Sequence, residues 1–287
     1  MEWAFYAHPN STAKVKFFAD GLGSCENLFM YIKKFYYKIR KNLSESWKIV
    51  KYKMLFWWIL NIKTQTLTVN QKPAIVFAPH QDDETLGCGG LIALKHELGT
   101  PIKIVFLTDG QKSHLHIKPE ELIQIRKQEA INALNILGIA SSDIYFLDYM
   151  DGSLMQLSKE EHYRIINQLA QILQSFQPSE VYLPHRKDKH NDHEATYDLV
   201  QAALIASKVQ VEVFEYPIWL FWNDDTQLFE FNLHELDDFY NLSIKSVSKK
   251  KQRAIKAYHS QCQIFPSSFL MHFFIPREFF FKRPIQN

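Results

Sequence analysis

The chain has 287 residues, 46% of them hydrophobic, enough for one large α/β domain with a packed core plus an extension. A formal net charge of +2 is too small to make the molecule as a whole a nucleic-acid binder. The three cysteines, Cys25, Cys88 and Cys262, show no CxxC spacing and cannot all pair within one chain, which points to a reducing, cytoplasmic setting.

Residues 1–70 stand apart from the rest as a helical extension. Leu28, Phe29, Ile32, Phe35, Tyr36 and Ile39 fall on one helical face, with Lys33, Lys34, Lys38, Arg40 and Lys41 on the other. A second stretch, Trp47 to Leu60, ends in the apolar run Met54 to Leu60, far too short to span a bilayer. The N-terminus lacks the basic-then-apolar layout of a signal peptide. Two expectations follow for residues 28–60. A basic, aromatic-bearing amphipathic segment suits peripheral contact with an anionic membrane. The same faces also suit packing against the rest of the chain or a second subunit in a homo-oligomer, and this is the favoured one.

An α/β rhythm begins near residue 73. Strands are expected at 73–78, 102–107, 144–147, 180–184 and 211–216, with helical patterns at about 85–98, 119–137, 158–176 and 194–207. Alternation at this spacing predicts a mostly parallel sheet with helices on both faces, from residue 71 to 287. Neither GxGxxG nor GxxxxGK[ST] occurs, so no motif supports a nucleotide cofactor. After 217 the rhythm fades into an aromatic stretch (Trp219, Phe221, Trp222, Phe229, Phe231), and a last helix is expected at about 246–259.

Two polar clusters sit at the ends of strands. The run Ala74-Ile75-Val76-Phe77-Ala78 leads into His80-Gln81-Asp82-Asp83-Glu84, and Val181-Tyr182-Leu183 leads into a segment holding His185, Asp188, His190, Asp192 and His193. Ligands of open α/β sheets bind at such carboxyl ends. Taken alone, Asp82, Asp83 and Glu84 read equally well as the acidic first turn of a helix. Asn191 and Glu194 likewise have the spacing of a capping box. Two His- and Asp-rich strand ends meeting at one rim would supply His, Asp and His ligands with an open position, as a catalytic zinc requires.

These residues carry a family resemblance. Ala78-Pro79-His80-Gln81-Asp82-Asp83-Glu84 resembles the Ala-His-Pro-Asp-Asp-Glu signature of the PIG-L/LmbE-type zinc N-deacetylases, and His190-Asn191-Asp192-His193 resembles their His-Pro-Asp-His signature. Leu107-Thr108-Asp109-Gly110, Arg126-Lys127-Gln128-Glu129 and Tyr258-His259-Ser260-Gln261 also fit, so five motifs in order cover roughly residues 73–265. Gln81 and Asn191 stand where the signatures have proline, which bears on loop shape rather than on ligands.

The resemblance implies a Rossmann-like domain that removes an N-acetyl group from an amino sugar or glycoconjugate with Zn²⁺. His80, Asp83 and His193 would hold the metal. Asp82 would act as general base. His190 would stabilise the oxyanion or protonate the leaving amine, with Asp192 orienting it and holding it protonated. Arg126 would bind substrate; read without the resemblance, Arg126 and Glu129 are an ordinary surface pair on a helix. His114, His116 and His185 are expected as loop residues, Cys88 as a buried packing residue, and His259 as either a structural or a pocket-wall side chain. The rival class is a non-catalytic Rossmann-like protein that binds metal or nucleotide.

Overall fold

The computed structural model describes residues 63–114, 116–220 and 238–283. The segment at 28–60, and Phe221, Trp222, Phe229 and Phe231, lie outside them. In chain order the strands and α-helices are β1 (Gln65–Leu67), β2 (Ala74–Ala78), α1 (Asp83–Glu97), β3 (Ile102–Thr108), α2 (Pro119–Leu137), β4 (Ile144–Tyr149), α3 (Lys159–Phe176), β5 (Glu180–Pro184), α4 (Asn191–Ser207), β6 (Glu212–Tyr216), β7 (Phe239–Ser243), α5 (Ser248–Ala257), α6 (His259–Ile264), α7 (Ser267–Phe273) and β8 (Arg277–Arg283). Short 3₁₀ turns at Ser141–Asp143 and Leu154–Gln156 flank β4.

Local sequence explains several boundaries. Helix α2 opens on Pro119, whose missing N–H costs nothing at that position, and closes on Gly138 with φ 104°. Helix α3 starts with a capping box in which Ser158 and Glu161 satisfy each other's backbone N–H. Asn191 does not serve as the cap of α4: it is the first helical residue, and His190 holds the cap position without a side-chain cap bond.

The strands form one eight-stranded sheet in the order β1-β7-β8-β6-β5-β2-β3-β4. Strand β2 pairs in parallel with β3 on one side and β5 on the other. Chain direction across the sheet reverses between β2 and β5, so their carboxyl ends form the topological switch point where open α/β sheets bind ligands. Every residue of β2 is buried. Ala74, Val76 and Ala78 face a core shared with α1, α2 and α5, whereas Ile75 and Phe77 face one shared with α3 and α4. Helices therefore cover both faces, as the unbroken apolar run predicts.

The sheet continues past residue 217, where the sequence rhythm fades. Strand β8 runs antiparallel to both β6 and β7, and β1 pairs in parallel with β7. Aromatic rings from β8 pack on both sheet faces: Phe281 stacks on Phe239 at 4.4 Å between centroids, and Phe280 meets Tyr182 at 5.4 Å. Glu278 is buried and accepts from the α1 amides of Gly90 (2.6 Å) and Leu91 (2.8 Å) and from Lys251 (2.6 Å). Glycine lets α1 approach closely, since a Cβ on Gly87 would lie 2.3 Å from the ring of Tyr216. That ring is fixed in turn by a 2.8 Å bond from its hydroxyl to the Phe77 carbonyl at the end of β2.

Among the described residues no helix is long and apolar enough to cross a membrane.

Candidate metal centre

The loop from β2 to α1 carries His80 and Asp82 and leads directly into Asp83, and its shape is set by β3 and α2. The Pro79 carbonyl accepts from the Thr108 amide (3.0 Å) and hydroxyl (2.8 Å). Gln81, in place of a proline, uses its side-chain amide to bond the Thr108 carbonyl at 2.6 Å. Arg126 reaches back from α2 to the carbonyls of Gln81 (2.7 Å) and Gly110 (3.3 Å). Gly110, at φ 69°, must be glycine: a Cβ there would sit 2.4 Å from Gln81 and 2.9 Å from Arg126. Asp82 itself adopts φ 152°, a conformation costing of order 1–3 kcal/mol that persists only where its surroundings enforce it.

Asp83 is the first residue of α1, so the helix-start reading is correct as far as it goes. Its carboxylate, however, points at two imidazoles. Oδ2 lies 3.2 Å from His80 Nδ1 and 3.3 Å from His193 Nε2, and it accepts from the His80 amide at 3.0 Å. Each imidazole has a carboxylate on its other nitrogen. His193 Nδ1 is 2.7 Å from Asp188, while His80 Nε2 is 3.2 Å from both Asp151 and Asp192. Asp188 is itself fixed by the amides of Ile218, Trp219 and Leu220 at 2.8–3.1 Å. This is how metal-ligating histidines are held, with one nitrogen free for the ion and the other anchored on a carboxylate.

The donor set fits a divalent cation. His80, Asp83 and His193 are buried, and His193 Nε2 has no hydrogen-bond partner. Burial opposes charge on His193, yet Asp83 and Asp188 push its pKa up to about 9. His80 is likewise held well above its ordinary range, burial being outweighed by Asp151, Asp192 and Asp83. Burial also opposes ionisation of Asp83, but the His193 and His80 rings keep its carboxyl far below the usual range. The pocket thus favours positive charge at its centre, which a cation on nitrogen and oxygen ligands satisfies. Among the described residues two groups bring ligand atoms within 4.8 Å of one another: His80, His190 and His193, and His80, Asp151 and Asp192.

Asp82 lies beside this centre with Arg126 Nη2 3.4 Å from its carboxylate. Burial raises the Asp82 pKa to about 8, against the pull of Arg126. Arg126 is buried, so the surface-pair reading fails; it braces the Gln81 and Gly110 carbonyls while lining the same cleft. Its helix neighbour Glu129 is equally engaged, accepting from the Ser260 amide (2.8 Å) and hydroxyl (2.7 Å).

The His190 ring stands 5.0 Å from that of His80 and 4.8 Å from that of His193, with its Nδ1 buried and unbonded. Here the structure departs from expectation. Asp192 does not bond His190; its carboxylate takes the Gly152 amide (2.6 Å), the Leu154 amide (3.2 Å) and His80. Burial and the neighbouring His193 and His80 lower the His190 pKa to about 4, so this imidazole is neutral rather than held protonated. Asp151 and Asp188 are the participants that sequence reasoning passed over. Asp188 carried a signal, lying five residues before His193 in the second cluster, but Asp151 follows β4 with no motif around it.

The remaining expectations resolve simply. His114 bonds the Ser260 carbonyl at 2.9 Å, and His116 and His259 are exposed. His185 is not a surface loop residue: it is fully buried against Phe281, with ring centroids 4.6 Å apart. Cys88 is buried among core side chains, and burial raises its thiol pKa well above the ordinary value, which disfavours a nucleophilic thiolate.

The centre opens into a cleft of about 330 Å³, lined by His80, Asp82, Asp83 and His190 together with the aromatic rings of Trp219 and Phe265. A second cleft, of about 350 Å³ and mostly apolar, lies near Leu86, Ile218 and Phe269.

A family model described as PIG-L, GlcNAc-PI de-N-acetylase, matches residues 75–204. A Bacillus subtilis protein described as a probable N-acetyl-alpha-D-glucosaminyl L-malate deacetylase 2 is 28% identical over 197 residues, spanning 66% of this chain and 83% of that protein. A Pseudomonas putida 4-oxalmesaconate hydratase is 30% identical over 154 residues, 51% of this chain and 57% of its own length. Among solved structures, the N,N'-diacetylchitobiose deacetylase of Pyrococcus horikoshii superposes with a TM-score of 0.59 at 20% identity, covering 81% of this chain and 92% of that one.

Proposed function

We propose, for a chain that belongs to the PIG-L family through residues 75–204, a metal-dependent hydrolase that removes an N-acetyl group from an amino sugar or glycoconjugate. The observation that carries this reading is the convergence of His80 and His193 on the Asp83 carboxylate, with Asp82 beside them at the rim of one cleft. In this reading the catalytic domain starts at β1 rather than at residue 71.

His80, Asp83 and His193 would hold the metal, and two imidazoles among three ligands favour zinc over magnesium, which prefers oxygen. When bound, zinc would acidify a water molecule and polarise the acetyl carbonyl. Asp82 takes the proton of the attacking water and passes it to the departing nitrogen as the C–N bond breaks, giving acetate and a free amine. Arg126 keeps a positive charge against Asp82 throughout. The neutral His190 ring donates a hydrogen bond to the carbonyl oxygen as negative charge grows there. Trp219 and Phe265 offer apolar walls to the body of the substrate.

The test is acetate release over a panel of N-acetylated sugars and glycoconjugates, with N-acetylglucosamine conjugates expected to turn over. Activity confined to non-sugar amides, or water addition to an unsaturated acid without acetate release, overturns the assignment. Zinc analysis separates it from a non-catalytic binding protein whose metal is held elsewhere. Roughly stoichiometric zinc should be lost in both His80→Ala and His193→Ala, and zinc kept in both variants removes these ligands from consideration.

A further inference from the structure

We propose that Glu84 and Tyr258 are positioning residues that hold Asp82 in the backbone conformation from which it acts as base; this rests on the reading of Asp82 given above. At φ 152° Asp82 needs partners to keep it in place, and its backbone has them. Its N–H donates to Glu84 Oε2 at 3.1 Å, a carboxylate two residues ahead. Its carbonyl accepts from Thr85 (3.1 Å) and Leu86 (2.9 Å) in the first turn of α1.

Glu84 is fully buried, so its geometry is set by protein atoms. The other oxygen, Oε1, accepts from the Thr85 hydroxyl and from the Tyr258 hydroxyl, the latter at 2.6 Å. Tyr258 is buried at the joint between α5 and α6, far along the chain from the β2 loop. Two residues later Ser260 is tied to Glu129 on α2. Asp82 is therefore gripped twice: Glu84 and Tyr258 fix its backbone, and Arg126 meets its carboxylate. Neither Glu84 nor Tyr258 lines the cleft, so neither touches the substrate of the proposed reaction.

The experiment compares the full-length wild type, Tyr258→Phe, Asp82→Asn and the double variant in acetate release and zinc content. Phenylalanine keeps the buried ring and removes the hydroxyl alone. Tyr258→Phe should lower kcat by about tenfold with KM and zinc content unchanged, since small misplacements of a catalytic group cost up to about a hundredfold. Asp82→Asn should lose about a hundredfold or more while keeping its metal. The double variant should fall within twofold of Asp82→Asn, because a residue acting through Asp82 has nothing left to position. Glu84→Gln, which retains one acceptor in place of two, should repeat this pattern and covers the case in which Tyr258→Phe does not fold. A Tyr258→Phe kcat within twofold of wild type, an equal fractional loss in both Asp82 backgrounds, or loss of zinc overturns the inference while leaving the deacetylase reading intact. Full activity in Asp82→Asn removes the base and the inference together, and a wild type that releases no acetate fails the reading itself.

Discussion

Asp188 offers the sharpest test of how the proposed metal ligands are held. Its Oδ1 accepts from Ile218 (3.1 Å), Trp219 (3.0 Å) and Leu220 (2.8 Å), and its Oδ2 faces His193 Nδ1 at 2.7 Å. Asp188→Asn can keep Oδ1 on those three amides, so the loop at 218–220 should retain its shape. The new NH₂ group then meets Nδ1 of His193, and two donors cannot share a bond. To restore it, the ring must move its proton to Nε2, the nitrogen 3.3 Å from Asp83 and the one free for a metal. Loss of a carboxylate behind a ligating histidine weakens metal binding by about 10- to 100-fold, or roughly 1.4–2.8 kcal/mol. Titration of zinc against a chromophoric chelator measures this, with the urea midpoint recorded alongside to show that the fold is intact. A zinc Kd within twofold of wild type, in a folded variant, would mean that His193 does not bind through Nε2 or that Asp188 does not set its proton.

Two further outcomes follow from groups remote from the centre. Lys95 is buried and donates to Glu180 at 2.8 Å and to the Lys72 carbonyl at 2.8 Å. Lys95→Ala removes the buried cation beside Glu180, leaving its carboxylate only the neutral donors Asn70 and Tyr182, and should cost about 3 kcal/mol in urea unfolding, with a loss under about 1 kcal/mol contradicting it. Burial, aided by Arg283 and Arg186, holds the His185 pKa well below its ordinary value. Its contribution to stability is therefore complete above about pH 6.5, the unfolded value, and is lost as pH falls below it. The urea midpoint should fall less between pH 7 and pH 5 in His185→Gln than in the wild type, and equal declines would refute this.

What the sequence disclosed follows the physics of each segment. The strands from Ala74 to Tyr216 alternate with helices at regular spacing, and their boundaries agree with expectation to within a few residues. Strand β8 hides because Phe279, Phe280 and Phe281 pack on both sheet faces and erase the two-residue alternation, while Glu278 beside them is buried by its bonds to α1 and Lys251. Strand β1 is three residues long, too short to show a period. At the site, His80, Asp82, Asp83, His190 and His193 were legible because strand ends concentrate them in two short clusters. Asp151 was not, because its relevance comes from the fold bringing the loop after β4 against His80.

Asp192 separates a role read from sequence adjacency from one read from contacts. Placed between His190 and His193 in the chain, it looks like the partner of His190. In space it caps the amides of Gly152 and Leu154 and sits behind His80. The three histidines thus divide by what stands behind them: carboxylates behind His80 and His193, and no bonded carboxylate on His190 Nδ1. Rings of the first kind suit a metal, and a neutral ring that lines the cleft suits a growing oxyanion. Asp192→Asn tests the division: it can keep Oδ1 for Leu154, while an NH₂ group replaces the oxygen that accepts from Gly152 and faces His80 Nε2. Asp151 remains 3.2 Å from that nitrogen, so zinc affinity should drop by about tenfold, the lower end of the usual effect of losing a carboxylate behind a ligating histidine. His190→Ala, by contrast, should keep its zinc and lose about a hundredfold in kcat, as when an oxyanion donor is removed. If Asp192→Asn binds zinc as the wild type does and loses kcat as His190→Ala does, Asp192 serves His190 after all, and the contact at His80 has no part in holding the metal.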